Sequence, residues 1–101
     1  MLSQLDTATQ ERIATAKRRV SDAAAALAAA QTPTEVMQAL AGLEATAQAM
    51  RGDIAVRVVL NDGWSYAQLG RSLGVTRQAA SKLYGPRVDA QMRRELRGQL
   101  G

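Results

Sequence analysis

The sequence predicts an all-α protein: a long antiparallel helical hairpin leading into a compact three-helix unit, followed by a short C-terminal helix. Three observations carry that expectation. Apolar residues recur at alternating steps of three and four through most of residues 13–54, the spacing of helices that pack lengthwise. Helix start signals stand at Thr32-Pro33-Thr34-Glu35, Ser65 and Thr76, and stop signals at Asn61-Asp62-Gly63, Gly74 and Gly85-Pro86. Between residues 62 and 85 these signals leave room for only two short helices and a three-residue turn.

The first helix is expected over residues 3–31, an Ala-rich stretch with no Gly or Pro inside it. Ile13, Ala16, Val20, Ala23, Leu27 and Ala30 form its stripe. The dominance of alanine lets a partner helix approach closely but leaves the helix weak on its own. Asp6 and Thr9 occupy the seam before Ile13, so the first turns are expected to fray. Thr32 then caps a second helix, with Pro33 at the position where its missing N–H costs nothing and Glu35 completing a capping box. Its stripe reads Val36, Leu40, Leu43, Ala47, Met50 and Ile54, with Met37 and Met50 as core fillers. It runs to about Leu60, roughly 40 Å at 1.5 Å per residue. Gly42 and Gly52 inside it cost about 1 kcal/mol each relative to Ala and mark either close helix contacts or a bend. The tight joint at Gln31-Thr32 folds the two helices into an antiparallel pair over residues 1–60.

The stretch Asp62 to Gly85, DGWSYAQLGRSLGVTRQAASKLYG, is the most informative. Ser65 caps its first helix, Gln68 completes the capping box, and Trp64 and Leu69 occupy the two positions of a hydrophobic staple. Gly74 suits the left-handed conformation that ends helices. Thr76 caps the second helix, whose inward face is expected to carry Ala80 and Leu83, with Val75 plugging the corner. Gly70 sits where only a very small side chain permits the two helices to approach. Gly85-Pro86 is expected to stop the second helix. Ile54, Val58 and Val59, at the end of the preceding long helix, roof the unit over residues 54–86. Past it, Val88, Met92, Leu96 and Leu100 at steps of four, interleaved with Arg87, Arg93, Arg94 and Arg97, predict a separate basic amphipathic helix within 87–101.

The spacing Leu69-Gly70…Leu73-Gly74-Val75…Ala80…Leu83 resembles the helix-turn-helix superfamily of transcription regulators. The run GWSYAQLGRSLGVTRQAASKLYG is similar to small actinobacterial helix-turn-helix proteins, and more distantly to the promoter-reading region of sigma factors. The resemblance covers about a quarter of the chain. It implies a bacterial DNA-binding regulator whose second helix enters the major groove.

Charge agrees with that implication. Of the net +4, residues 1–62 carry six Lys and Arg against seven Asp and Glu, whereas residues 63–101 carry seven against two. A basic half on a near-neutral half suggests a nucleic-acid surface on a separate support. With no Cys and no His, disulfides, the usual zinc ligand sets and Ser-His or Cys-His nucleophile pairs are excluded. No enzyme, cofactor or metal is expected, and Asp89 and Glu95 lack partners for acid/base work. Absence of Cys suits a reducing cytoplasm, and a cytoplasmic, nucleoid-associated protein is expected. The run Ala23 to Ala30, preceded by Lys17-Arg18-Arg19, faintly mimics a signal peptide, but alanine is too weakly apolar and the run too short to span a bilayer.

The candidate DNA-contacting residues are Ser65, Tyr66, Thr76, Arg77, Gln78, Ser81, Lys82 and Arg87. Arg is the usual bidentate reader of guanine and Gln of adenine, while Ser and Lys serve bases or phosphates. Arg77 in a first turn opposes the helix dipole by about 0.3–1 kcal/mol, which suggests an external anion. Ser65 and Tyr66 stand where backbone N–H groups and a hydroxyl hold a phosphate, although Tyr66 is equally suited to half-burial against Trp64. Arg71 suits either a DNA contact or solvent, and Lys17-Arg18-Arg19 a solvated helix face. The function expected is sequence-specific binding of double-stranded DNA as a transcription regulator, a homodimer through the hairpin on a pseudo-palindromic site. Two alternatives stand beside it: a protein-interaction module with RNA polymerase or a toxin as partner, and a nucleoid or plasmid-partition protein with little sequence preference.

Overall fold

A computed structural model of the chain describes residues 5–100, and these form four helices and no strand. They are α1 (Thr7–Ala29), α2 (Pro33–Asp62), α3 (Tyr66–Leu73) and α4 (Arg77–Leu100). Residues 3 and 4, where the sequence places the start of the first helix, lie outside the described residues. The described chain measures 49 × 34 × 32 Å, its long axis comparable to the 30 residues of α2.

α1 and α2 pack lengthwise as an antiparallel pair. The seam is that of the sequence pattern on the α1 side, where Ile13, Ala16, Val20, Ala23 and Leu27 are all half-buried. On α2 it runs instead through Val36, Ala39, Leu43, Thr46 and Met50, and Leu40 and Ala47 are exposed. Met37 is no core filler: it is 63% exposed, whereas Met50 is buried. The capping box of Thr32 and Glu35 is present in both directions, at 3.1 Å each.

The first turns of α1 are pinned rather than frayed. Asp6 caps the helix by accepting from the Ala8 N–H at 2.9 Å, and its own N–H donates to Asp62 Oδ1 at 2.7 Å. Thr9 is fully buried and its hydroxyl donates to Asp62 Oδ2, while Asn61 Nδ2 donates to Asp6. The polar residues that interrupt the apolar seam thus tie the beginning of α1 to the end of α2. A buried hydroxyl is tolerated there because a carboxylate accepts its hydrogen bond.

Gly63, with φ of 70°, ends α2, and the Trp64 N–H closes back on the Val58 carbonyl at 3.0 Å. The core of the C-terminal unit is Ala55 and Val58 of α2, Leu69 of α3 and Ala80 of α4. Ile54, Val59, Trp64, Tyr66, Leu73 and Tyr84 pack around them. The last turns of α2 therefore serve both the hairpin and the unit beyond it. Leu83 is not part of this core: it is 59% exposed, and Tyr84 takes the inward place. Val75 also stays exposed instead of plugging the corner.

The largest departure from expectation is α4, which continues through Gly85-Pro86 to Leu100 as one helix of 24 residues. Two local facts make this affordable. The residue before proline avoids helical geometry partly because its Cβ meets the ring, and Gly85 has none. Lys82, whose carbonyl loses its helical donor at Pro86, is exposed to water. Packing then carries the helix onward: Val88 is buried, as is Val56 on α2, and two ion pairs clamp α4 to α2. Arg87 donates to Asp53 at 2.9 Å, and Arg57, whose side chain is only 11% exposed, donates to Glu95 at 2.8 Å. Met92, between the two clamp residues of α4, and Leu96 and Leu100 beyond them are exposed.

Candidate nucleic-acid interface

α3, the turn Gly74-Val75-Thr76 and the first turns of α4 form a helix-turn-helix geometry, with each joint held by a specific contact. Ser65 Oγ accepts from the Gln68 N–H at 3.1 Å, and Gln68 Oε1 accepts from the Ser65 N–H at 3.0 Å. Gly74 takes φ of 73° at the end of α3, and the Val75 N–H donates to the Gly70 carbonyl at 2.9 Å. Thr76 Oγ1 caps α4 by accepting from the Ala79 N–H at 3.1 Å.

Gly70 is required by the turn itself. A Cβ on it would stand 2.7 Å from the Val75 carbonyl oxygen and 3.0 Å from that of Thr76. These are backbone atoms that cannot swing aside. The angle between α3 and α4 is thus set by contact between the α3 backbone and the turn.

Of the eight candidate residues, five line one concave surface of about 390 Å³: Tyr66 from α3 with Arg77, Gln78, Ser81 and Lys82 from α4. Ser65 and Thr76 are exposed at the two helix starts, their hydroxyl oxygens already accepting capping bonds. Each hydroxyl proton is still available to an acceptor such as a phosphate oxygen. Arg87 does not join this group. It lies on another side of α4, bonded to Asp53. Arg71 is exposed near the end of α3, and Lys17, Arg18 and Arg19 form an exposed face of α1.

The first turn of α4 contains no acidic residue, so nothing there offsets Arg77 against the positive end of the helix dipole. Tyr66 is half-buried with its side chain packed on the core, and it also lines the concave surface. Its phenol pKa is raised, first by burial and then by the nearby charge of Asp89. The hydroxyl therefore stays a neutral hydrogen-bond donor. Asp89, two helical turns beyond Lys82, is a negative charge near Tyr66 that the sequence reading weighed only for acid/base work. Its signal was present, since 89 follows 78, 82 and 85 on one helical face, but only in a helix that does not stop at Gly85.

A second surface is apolar. A groove of about 460 Å³ between the hairpin and α3 is lined mainly by Ala16, Val20, Met50, Ile54, Leu69 and Leu73. Among the described residues no group of His, Cys, Asp and Glu could hold a metal ion, and no helix is long and apolar enough to cross a membrane. No protein-family model, curated protein or solved structure matches the chain.

Proposed function

We propose that the chain is a sequence-specific double-stranded DNA-binding protein that acts as a small transcription regulator at the nucleoid. The observation that carries this reading is the convergence of Tyr66, Arg77, Gln78, Ser81 and Lys82 on one exposed concave face. That face is built on a turn whose geometry Gly70 fixes. The first turns of α4 enter the major groove, where Arg77 and Gln78 supply the side-chain types that recognise guanine and adenine bidentately. α3 crosses the backbone, with Ser65, Tyr66 and Thr76 donating to phosphates and Lys82 adding a mobile charge. Arg87 is left out of the contact set because Asp53 already engages it. Two chains joined through their hairpins would bring two such faces to a pseudo-palindromic site, the recognition helices about 34 Å apart.

Selection of bound sites from random DNA with the purified protein tests this reading. Enrichment of a defined, symmetric motif is expected. Arg77→Ala should then cost about 1–3 kcal/mol on the selected site and relax preference at one base position. Lys82→Ala should weaken all sequences alike and lower the salt dependence of binding. Binding to random DNA as tight as to any selected site would replace the reading with that of a low-specificity nucleoid or partition protein. No binding to DNA at all would leave the protein-interaction reading in its place.

A further inference from the structure

A second polar cleft lies away from the reading face, where α1, α2 and α4 meet. It has a volume of about 260 Å³ and is lined by Arg12, Asp53, Arg57, Arg87, Gln91 and Arg94, over a floor of Val56 and Ala90. Four arginines from three helices line it, against Asp53 in the lining and Glu95 beside it. Asp53 is bonded to Arg87, and Arg57 is bonded to Glu95 and Asn61. Among the described residues Arg12 has no hydrogen-bond partner, and Arg94 bonds only the neutral amide of Gln91. Arg12 and Arg94 thus bring positive charge to the cleft that no ion pair among the described residues offsets, and such charges repel one another unless an anion lies between them.

From this arrangement we infer that the cleft binds a small phosphorylated anion. Guanidinium groups recognise phosphoryl oxygens bidentately, and Arg12 of α1 and Arg94 of α4, neither of which is in an ion pair among the described residues, are the lining side chains open to such a bond. The volume is below that of most ligand pockets, which suits a phosphoryl or pyrophosphoryl group and little beyond it. DNA bound at the reading face is not the source of this phosphate. At roughly 100° per residue, Arg87 and Arg94 lie about 120–180° around α4 from Gln78 and Lys82. Gly52 belongs to the same construction, because the guanidinium of Arg87 passes directly over it. The inference stands on the cleft alone and does not require the DNA-binding reading.

The test is calorimetric titration of inorganic pyrophosphate into the full chain at low ionic strength, repeated with two double variants. Wild type should bind one equivalent saturably and melt at a higher temperature when pyrophosphate is present. Arg12→Gln with Arg94→Gln breaks no ion pair and should fold normally by circular dichroism. It should weaken binding by at least about tenfold, the equivalent of losing one charge-assisted hydrogen bond. Arg77→Gln with Lys82→Gln should bind pyrophosphate as wild type does. No saturable binding by wild type at millimolar pyrophosphate would overturn the inference. Loss of binding in the Arg77/Lys82 variant with retention in the Arg12/Arg94 variant would overturn it as well, by moving the anion to the reading face.

Discussion

The guanidinium of Arg87 lies across the backbone of Gly52: a Cβ built on Gly52 would stand 1.8 Å from Arg87 Nη1. This contact lets Arg87 reach Asp53 from α4 and draws α4 onto α2. The atom in the way is the far end of a flexible side chain, so Gly52→Ala should displace Arg87 and not unfold the protein. Relief of glycine in a helix interior is worth up to about 1 kcal/mol. The half-exposed pair that would be lost contributes about 0–1 kcal/mol. The expected outcome is a melting temperature within a few degrees of wild type, with the Arg87–Asp53 pair broken. Urea unfolding, together with a double-mutant cycle against Asp53→Asn, measures both.

Gly70 presents the opposite case, because its neighbours are carbonyl oxygens of the turn. Gly70→Ala should force α3 and α4 apart at a cost of about 1–3 kcal/mol, in spite of alanine's better helix propensity. Chemical denaturation gives the stability loss. On the proposed function, DNA affinity should fall with it, since the same contact sets the pose of Arg77 and Gln78. A variant that melts normally would show that the turn relaxes at no cost.

The contrast between the two glycines shows what was legible in the sequence. Caps and turn were readable because they are local: Thr32 with Glu35, Ser65 with Gln68, and the left-handed Gly74 each act within a few residues. The all-α class followed from the same signals. What escaped was long-range. Asp53 and Arg87 are 34 residues apart, and Arg57 and Glu95 are 38 apart. Those pairs, with Val88 buried between α4 and its support, carry α4 past a proline that local rules treat as a stop. Thr9 was misjudged for the same reason: its partner is Asp62, at the far end of the next helix. Within the candidate site, the residues on the first two turns of α4 were readable from helical spacing, whereas Arg87 was not, because its place depends on α2.

The clamp between α2 and α4 also has a pH signature. Glu95 has its carboxyl pKa lowered, first by the hydrogen bond from Arg57 and then by that from Gln91. A carboxylate with a depressed folded-state pKa contributes stability above its unfolded pKa and loses it as pH falls through the folded value. Glu95 is 44% exposed, which limits the pair to the range of about 0–1 kcal/mol seen for surface ion pairs. Glu95→Gln should therefore be slightly less stable than wild type at pH 7. The gap should close as pH falls through the ordinary carboxylate range and beyond. Urea midpoints of the two proteins across pH 7 to 3 check this, and a constant gap would show that the charge on Glu95 contributes nothing.

The remaining prediction concerns assembly. Met37 and Leu40 are exposed on α2, and with Ala47 and Ile54 they form an apolar line that leads into the groove beside α3. An Ala-rich helical pair buries little apolar surface by itself, and packing two hairpins into a four-helix arrangement would cover both the line and the groove. Such a dimer is related by a twofold axis and presents two reading faces, as the proposed pseudo-palindromic site requires. Met37→Glu with Leu40→Glu places charge at positions that are already open to water in the single chain. The monomer's fold should therefore survive unchanged, with helicity equal to wild type by circular dichroism. The dimer should dissociate, and affinity for a symmetric site should fall steeply because two linked contacts become one. Sedimentation equilibrium at micromolar concentration reads the assembly directly. A wild-type chain that sediments as a monomer, both free and on its selected DNA, would remove the hairpin from any role in dimerisation.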